Sequence, residues 1–183
     1  MAALRRQGGS LAVAESLTGG ALSGALVTVP GVSAVLRGGI VAYATDLKEQ
    51  LLGVDGELLA AHGPVHPEVA RQMAAGAADR LGADHAIATT GVAGPGAADG
   101  APAGTVWVAA LGPGGHRVRG LLLAGDRALV RRASVAAALA LLGSLLSDEL
   151  QRRPPTRRGA DASDSSGSGD GREQGPGAGR WTR

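Results

Sequence analysis

Apolar positions along the chain follow two alternating rhythms: short unbroken or alternating runs that suit strands, and longer stretches spaced for helices. Leu11 to Ala14 is a short apolar strand, and Thr18-Gly19-Gly20 turns the chain into a helix from Ala21 to about Val29, stopped by Pro30. Gly39 to Tyr43 reads as a second strand. A helix capped by Thr45 or Asp46 then runs through Leu52, with Glu49 placed to complete a capping box with Asp46. A short helix near Glu57 to His62 follows. Pro67 opens another helix, in which Val69, Met73, Ala77 and Leu81 recur on one face until Gly82 supplies a stop.

Ala86 to Thr89 is a third strand, opening into a glycine-dense loop from Thr90 to Gly104. Thr105 to Leu111 and Arg117 to Leu123 form a hairpin around Gly112-Pro113-Gly114-Gly115. Asp126 caps a long closing helix to about Leu150. No internal repeat is visible. The order β-α-β-α-α-α-β-β-β-α predicts an α/β fold, a three-layer α/β/α sandwich around a mixed sheet of about five strands. Ligands of such sheets sit beyond the strand C-termini, where the Ser16, Tyr43 and Thr90 segments fall.

Composition narrows the chemistry. Among 183 residues there is no Cys, which removes disulfides, thiolate metal sites and a cysteine nucleophile. Aromatics are 2%, Tyr43, Trp107 and Trp181 with no Phe, too few for the stacking platforms that bind single-stranded nucleic acid. The net charge of +2 is misleading: from Gln151 onward there are seven Arg and four acidic residues, leaving 11 basic and 12 acidic residues before it. Residues 1–150 therefore form a near-neutral domain. Residues 151–183, rich in Gly, Ser, Asp and Arg, are expected to be a disordered tail, so no nucleic-acid partner is expected. The apolar run Ala133 to Leu146 falls short of a membrane span and no targeting segment is visible, so a cytoplasmic location without a membrane partner is the expectation.

The four histidines make no metal site by spacing, since Gly63, Pro64 and Pro67 break any helix aligning His62 with His66. Ser16 lies at the lip of the sheet beside a helix N-terminus, whose backbone N–H groups would be free to hold an oxyanion or a phosphate. Tyr43 and Lys48 fall at the same edge. A serine needs a base, and a lysine serves only when neutral, which partial burial favours. The ordinary roles stand beside this reading: Ser16 as a helix cap, Tyr43 as edge packing, Lys48 as a solvated charge. Neither glycine loop has dinucleotide or Walker spacing, and Tyr43 to Lys48 is one residue longer than the Tyr-x-x-x-Lys of short-chain dehydrogenases.

Several linked motifs carry a resemblance. They are Ala14-Glu15-Ser16-Leu17-Thr18-Gly19-Gly20, Gly39 to Tyr43 with Lys48 and Leu51-Leu52-Gly53-Val54, Thr90-Gly91-Val92-Ala93-Gly94-Pro95, Gly104-Thr105-Val106, and Gly125-Asp126-Arg127 with Arg131. From about residue 10 to 147 the chain resembles the CinA C-terminal domain family. The resemblance implies a nicotinamide-nucleotide amidase that converts nicotinamide mononucleotide to nicotinic acid mononucleotide and ammonia, with no cofactor, as a homodimer. It implies Ser16 as nucleophile, Lys48 as base and Tyr43 in the proton relay. Backbone amides near Thr18 and Gly19 are expected at the developing charge, and Thr18, Gly19, Gly20, Thr90, Gly91, Gly94, Pro95, Gly104 and Thr105 are expected to bind the substrate. Arg127 and Arg131 are either a phosphate clamp or structural. The alternative function is a catalytically silent nucleotide-binding module linked to competence or DNA-damage responses. The chain departs from the family pattern at Ala44 and His66, where small hydroxyl residues are usual and a local hydrogen bond is expected to weaken, and in its short segment before the first strand.

Overall fold

The computed structural model describes residues 1–152. The elements are α1 (Ala2–Gln7), β1 (Leu11–Glu15), α2 (Ala21–Val27), a 3-10 turn (Val32–Ala34), β2 (Leu36–Val41), α3 (Thr45–Leu52), α4 (Gly56–His62), α5 (Pro67–Leu81), β3 (His85–Gly91), β4 (Thr105–Gly112), β5 (Gly115–Leu122) and α6 (Arg127–Arg152). The disordered tail expected from residue 151 lies, from 153 onward, outside the described residues, while Gln151 and Arg152 close α6.

Five strands form one mixed sheet in the order β2-β1-β3-β4-β5. β1 runs parallel to both β2 and β3, while β4 and β5 are added antiparallel. β1 is buried along its whole length because helices cover both faces, and its side chains alternate between two cores. Leu11 and Val13 join Leu4 of α1, Leu22 and Leu26 of α2, and Val130, Ala138 and Leu142 of α6. Ala12 and Ala14 join Leu52 of α3, Leu59 of α4, and Val69, Met73 and Ala77 of α5. The result is the α/β/α sandwich expected, with α6 laid against β4 and β3. Among the described residues α6 is the one helix long and apolar enough to cross a membrane, and here it supplies a core face.

Several local expectations are corrected. The short segment before β1, for which no element was expected, forms a helix, Ala2–Gln7, and seats Leu4 in the core. β2 begins at Leu36 and ends at Val41, so Tyr43 lies two residues past the strand. The Asp46–Glu49 capping box does not form. Ala44 is the N-cap of α3 without a side-chain bond, and the Asp46 carboxylate accepts from the Gln50 side-chain amide at 3.2 Å. His66 is the N-cap of α5, its Nδ1 accepting the Glu68 N–H at 3.2 Å. α3 is pressed against α5 at Gly76, where a Cβ would overlap the Leu52 carbonyl. That close crossing seats the turn of α3 that carries Lys48.

Candidate active site

Because β1, β2 and β3 are parallel, their C-terminal ends open on the same edge of the sheet. The chain stays in register just beyond them: the Ser16 N–H donates to Thr89 O at 3.0 Å and the Ala42 N–H to Glu15 O at 2.9 Å. A cavity of about 340 Å³ opens there, and Ser16, Tyr43, Lys48, Thr90, Asp99 and Arg127 are among the residues lining it. The three residues named for catalysis thus share one cavity.

Ser16 sits on a turn whose geometry is heavily determined. The carboxylate of Glu15, fully buried, accepts from the N–H groups of Gly20 at 2.9 Å, Leu22 at 3.0 Å and Ser23 at 2.8 Å, and from the Ser23 hydroxyl at 2.7 Å. Burial alone would raise this carboxyl, but the bonds from Ser23 and Leu22 hold it below the ordinary glutamate value. The N–H of Gly19 donates to Ser16 O and that of Ala21 to Thr18 O, both at 3.1 Å. The helix N-terminus expected to be free for an oxyanion is therefore occupied by the protein's own groups. Leu17 and Thr18 are the turn residues whose N–H groups donate to no described residue. From α6, Arg131 Nε donates to Leu17 O at 3.1 Å and Nη2 to Thr18 O at 2.6 Å, which makes Arg131 a brace for the turn.

Lys48 is 1% exposed, and its Nζ turns back to donate to the carbonyls of Ala42 at 3.0 Å, Tyr43 at 3.2 Å and Ala44 at 3.5 Å. Burial lowers its pKa from the ordinary lysine value, opposed by the negative charges of Asp99 and Asp46. Tyr43 is placed differently from the relay role. The residue is 58% exposed and its hydroxyl accepts from Arg127 Nη2 at 2.8 Å, while Arg127 Nη1 donates to Gly94 O at 2.9 Å. What Tyr43 offers Lys48 is its backbone carbonyl. Among the described residues no hydrogen bond joins the Ser16 hydroxyl to Lys48 or to Tyr43.

The expected pocket residues divide into two groups. Thr90, Gly91, Gly94 and Pro95 line the cavity, and the Thr90 hydroxyl also donates to Pro64 O at 2.7 Å. Thr18, Gly19, Gly20, Gly104 and Thr105 lie outside its lining. The Thr18 hydroxyl is buried against that of Thr89 at 2.8 Å, tying the turn to β3. Gly104 has φ +86°, and a Cβ there would overlap the Leu123 carbonyl; its N–H donates to Val92 O at 2.8 Å. Thr105 O accepts from the Val92 N–H at 2.8 Å. These two residues close the base of the glycine loop. Sequence reasoning passed over Glu15, although an acidic residue ending a fully apolar strand marks a charge that needs partners. It also passed over Asp99, although Asp99-Gly100 is a two-residue turn signal. No group of His, Asp or Glu with metal-binding geometry occurs among the described residues, and His62 and His66 stack ring on ring at 4.9 Å.

The family model described as the CinA C-terminal domain matches residues 1–146. The chain belongs to the CinA C-terminal domain family. CinA-like proteins of Frankia casuarinae and Gloeobacter violaceus are each 49% identical to it over 144 residues, covering 79% and 77% of this chain. The chain spans about a third of the length of these CinA-like relatives, 33% and 34%. Among solved structures, a competence-damaged protein (CinA) superfamily protein from Klebsiella pneumoniae superposes with a TM-score of 0.77 at 38% identity, covering 80% of this chain and 92% of that one. A CinA superfamily protein from Escherichia coli gives 0.75 at 38% identity, covering 78% and 83%.

Proposed function

We propose that this chain hydrolyses the carboxamide of nicotinamide mononucleotide, releasing ammonia and nicotinic acid mononucleotide, by acyl transfer through Ser16. The observation that carries the reading is the presence of Ser16 and a buried Lys48, its ammonium form disfavoured by desolvation, in one cavity. Neutral Lys48 takes the Ser16 proton as Oγ attacks the carboxamide carbon. The N–H groups of Leu17 and Thr18, which donate to no described residue, are the donors nearest in sequence to the developing oxyanion. Lys48 returns the proton to the leaving nitrogen, ammonia departs, and water then cleaves the ester by the same route. Arg127, with a guanidinium on the cavity wall, is suited to the phosphate of the nucleotide.

The test is ammonia release from nicotinamide mononucleotide. Ser16→Ala should lower kcat by about a thousandfold or more, and Lys48→Met by a similar order. The pH dependence has a definite sign: the base works deprotonated and its pKa lies below the ordinary lysine value of 10.5, so kcat/KM should rise with pH and level off below that value. A falling profile over that range would refute Lys48 as the base. One observation favours a second reading, a nucleotide-binding module without turnover: three carbonyls around Nζ suit an ammonium. That reading requires calorimetric binding of the nucleotide with no ammonia released by the wild type.

A further inference from the structure

Three charged side chains line the cavity, and two of them are engaged within the protein. Lys48 donates to three carbonyls and Arg127 to Tyr43 and Gly94. The third, Asp99, is the lining's only carboxylate and makes no hydrogen bond or ion pair with any described residue. It is held at the tip of a two-residue turn closed by Ala98 N–H to Ala101 O at 3.0 Å and Ala101 N–H to Ala98 O at 2.9 Å. Asp99 has φ +49° and Gly100 +72°, the left-handed pair of the tight hairpin turns. Asp99 lines the same cavity as Ser16 and Lys48, and its negative charge favours the ammonium form of Lys48. This carboxylate opposes a neutral Lys48, so it hinders the base that the amidase reading needs.

A ligand bringing positive charge to Asp99 removes that opposition. Nicotinamide mononucleotide carries a fixed positive charge on the very ring that bears the carboxamide, so an amide carbon docked on Ser16 puts the charged ring in the same cavity. We propose that Asp99 is a specificity-determining residue that selects the cationic pyridinium ring over a neutral ring of the same shape. The proposal rests on the amidase reading for its ligand, but it concerns binding and stands apart from turnover. Charge pairing in a partly solvated cavity gives about a tenfold preference.

The experiment is calorimetric titration of the full chain carrying Ser16→Ala, with and without Asp99→Asn, using nicotinamide mononucleotide and its uncharged 1,4-dihydro form. Asn accepts the left-handed conformation as Asp does and keeps the Asn-Gly turn, so the variant preserves the loop. The cationic form should bind about tenfold more tightly than the dihydro form, and Asp99→Asn should abolish the preference by weakening the cationic form alone. Asp46→Asn, which also removes a charge acting on Lys48 but lies outside the cavity lining, should leave the ratio unchanged. The proposal is overturned if Asp99→Asn preserves the ratio, if both ligands weaken alike, if Asp46→Asn abolishes the ratio, or if neither ligand binds. Ammonia release by the wild type tests the amidase reading separately, and its absence beside a ring preference lost in Asp99→Asn would refute turnover while upholding the selection.

Discussion

The turn after β1 and the loop after β3 are both rich in glycine and both reach the cavity, yet the fold holds them in opposite ways. Between Ser16 and Ser23, Glu15 engages three N–H groups and a hydroxyl, Arg131 holds two carbonyls and Thr89 holds Thr18. Between Gly94 and Ala103 the tie from a distant residue is Arg127 on Gly94 O, and the tip is closed on itself by Ala98 and Ala101. The first is built to keep one atom in one place. The second is anchored at its base and closed only on itself at its tip, a self-contained turn at the cavity wall.

Substitutions should separate the two, beginning with the largest effect. Gly104→Ala places a Cβ on the Leu123 carbonyl in a left-handed conformation and should destabilise the domain by about 3 kcal/mol in denaturant unfolding. Asp99→Asn, on the same loop, should shift unfolding by less than about 0.5 kcal/mol. Equal shifts from these two would break the distinction between base and tip. Glu15→Gln cannot accept four donors and should cost about 2 kcal/mol at neutral pH while lowering kcat more than it raises KM. Its folded pKa lies below the unfolded value near 4.5, so this contribution is complete above that value and is lost as pH falls through the folded pKa. The gap between Glu15→Gln and wild type should therefore narrow on acidification, read from unfolding midpoints across pH. Thr18→Val strands the buried Thr89 hydroxyl and should have the smallest effect on the turn, about 1 kcal/mol.

The layers and the common edge of Ser16, Tyr43 and Thr90 were legible because period and turn chemistry agree along most of the chain. Legibility failed where a long-range partner decides. Nothing local in Ala2–Gln7 declares a helix; Leu4 is drawn in by the core it joins. Leu36 extends β2 because Leu11 of β1 pairs with it, although Gly38 and Gly39 weaken the strand pattern. The free N–H groups imagined at α2 were a fair reading of a helix start, but an acidic residue five positions before Gly20 had already claimed them. Tyr43 was read as a strand end, whereas Arg127, 84 residues away, takes its hydroxyl. For the same reason the split of the glycine loop into base and tip could not be seen: Gly104 and Gly94 look alike in sequence, and only the approach of Leu123 tells them apart.

β1 lies between two parallel partners with helices on both faces, so its amides can meet solvent only when the whole domain opens. Ser16, whose own N–H is bonded to Thr89, shares that protection. In a hydrogen-exchange measurement this segment should fall in the slowest class and the 96–101 tip in the fastest. The placement of Ser16 then rests on the global stability of the domain, and fluctuation of the 96–101 tip can be tolerated without loosening it.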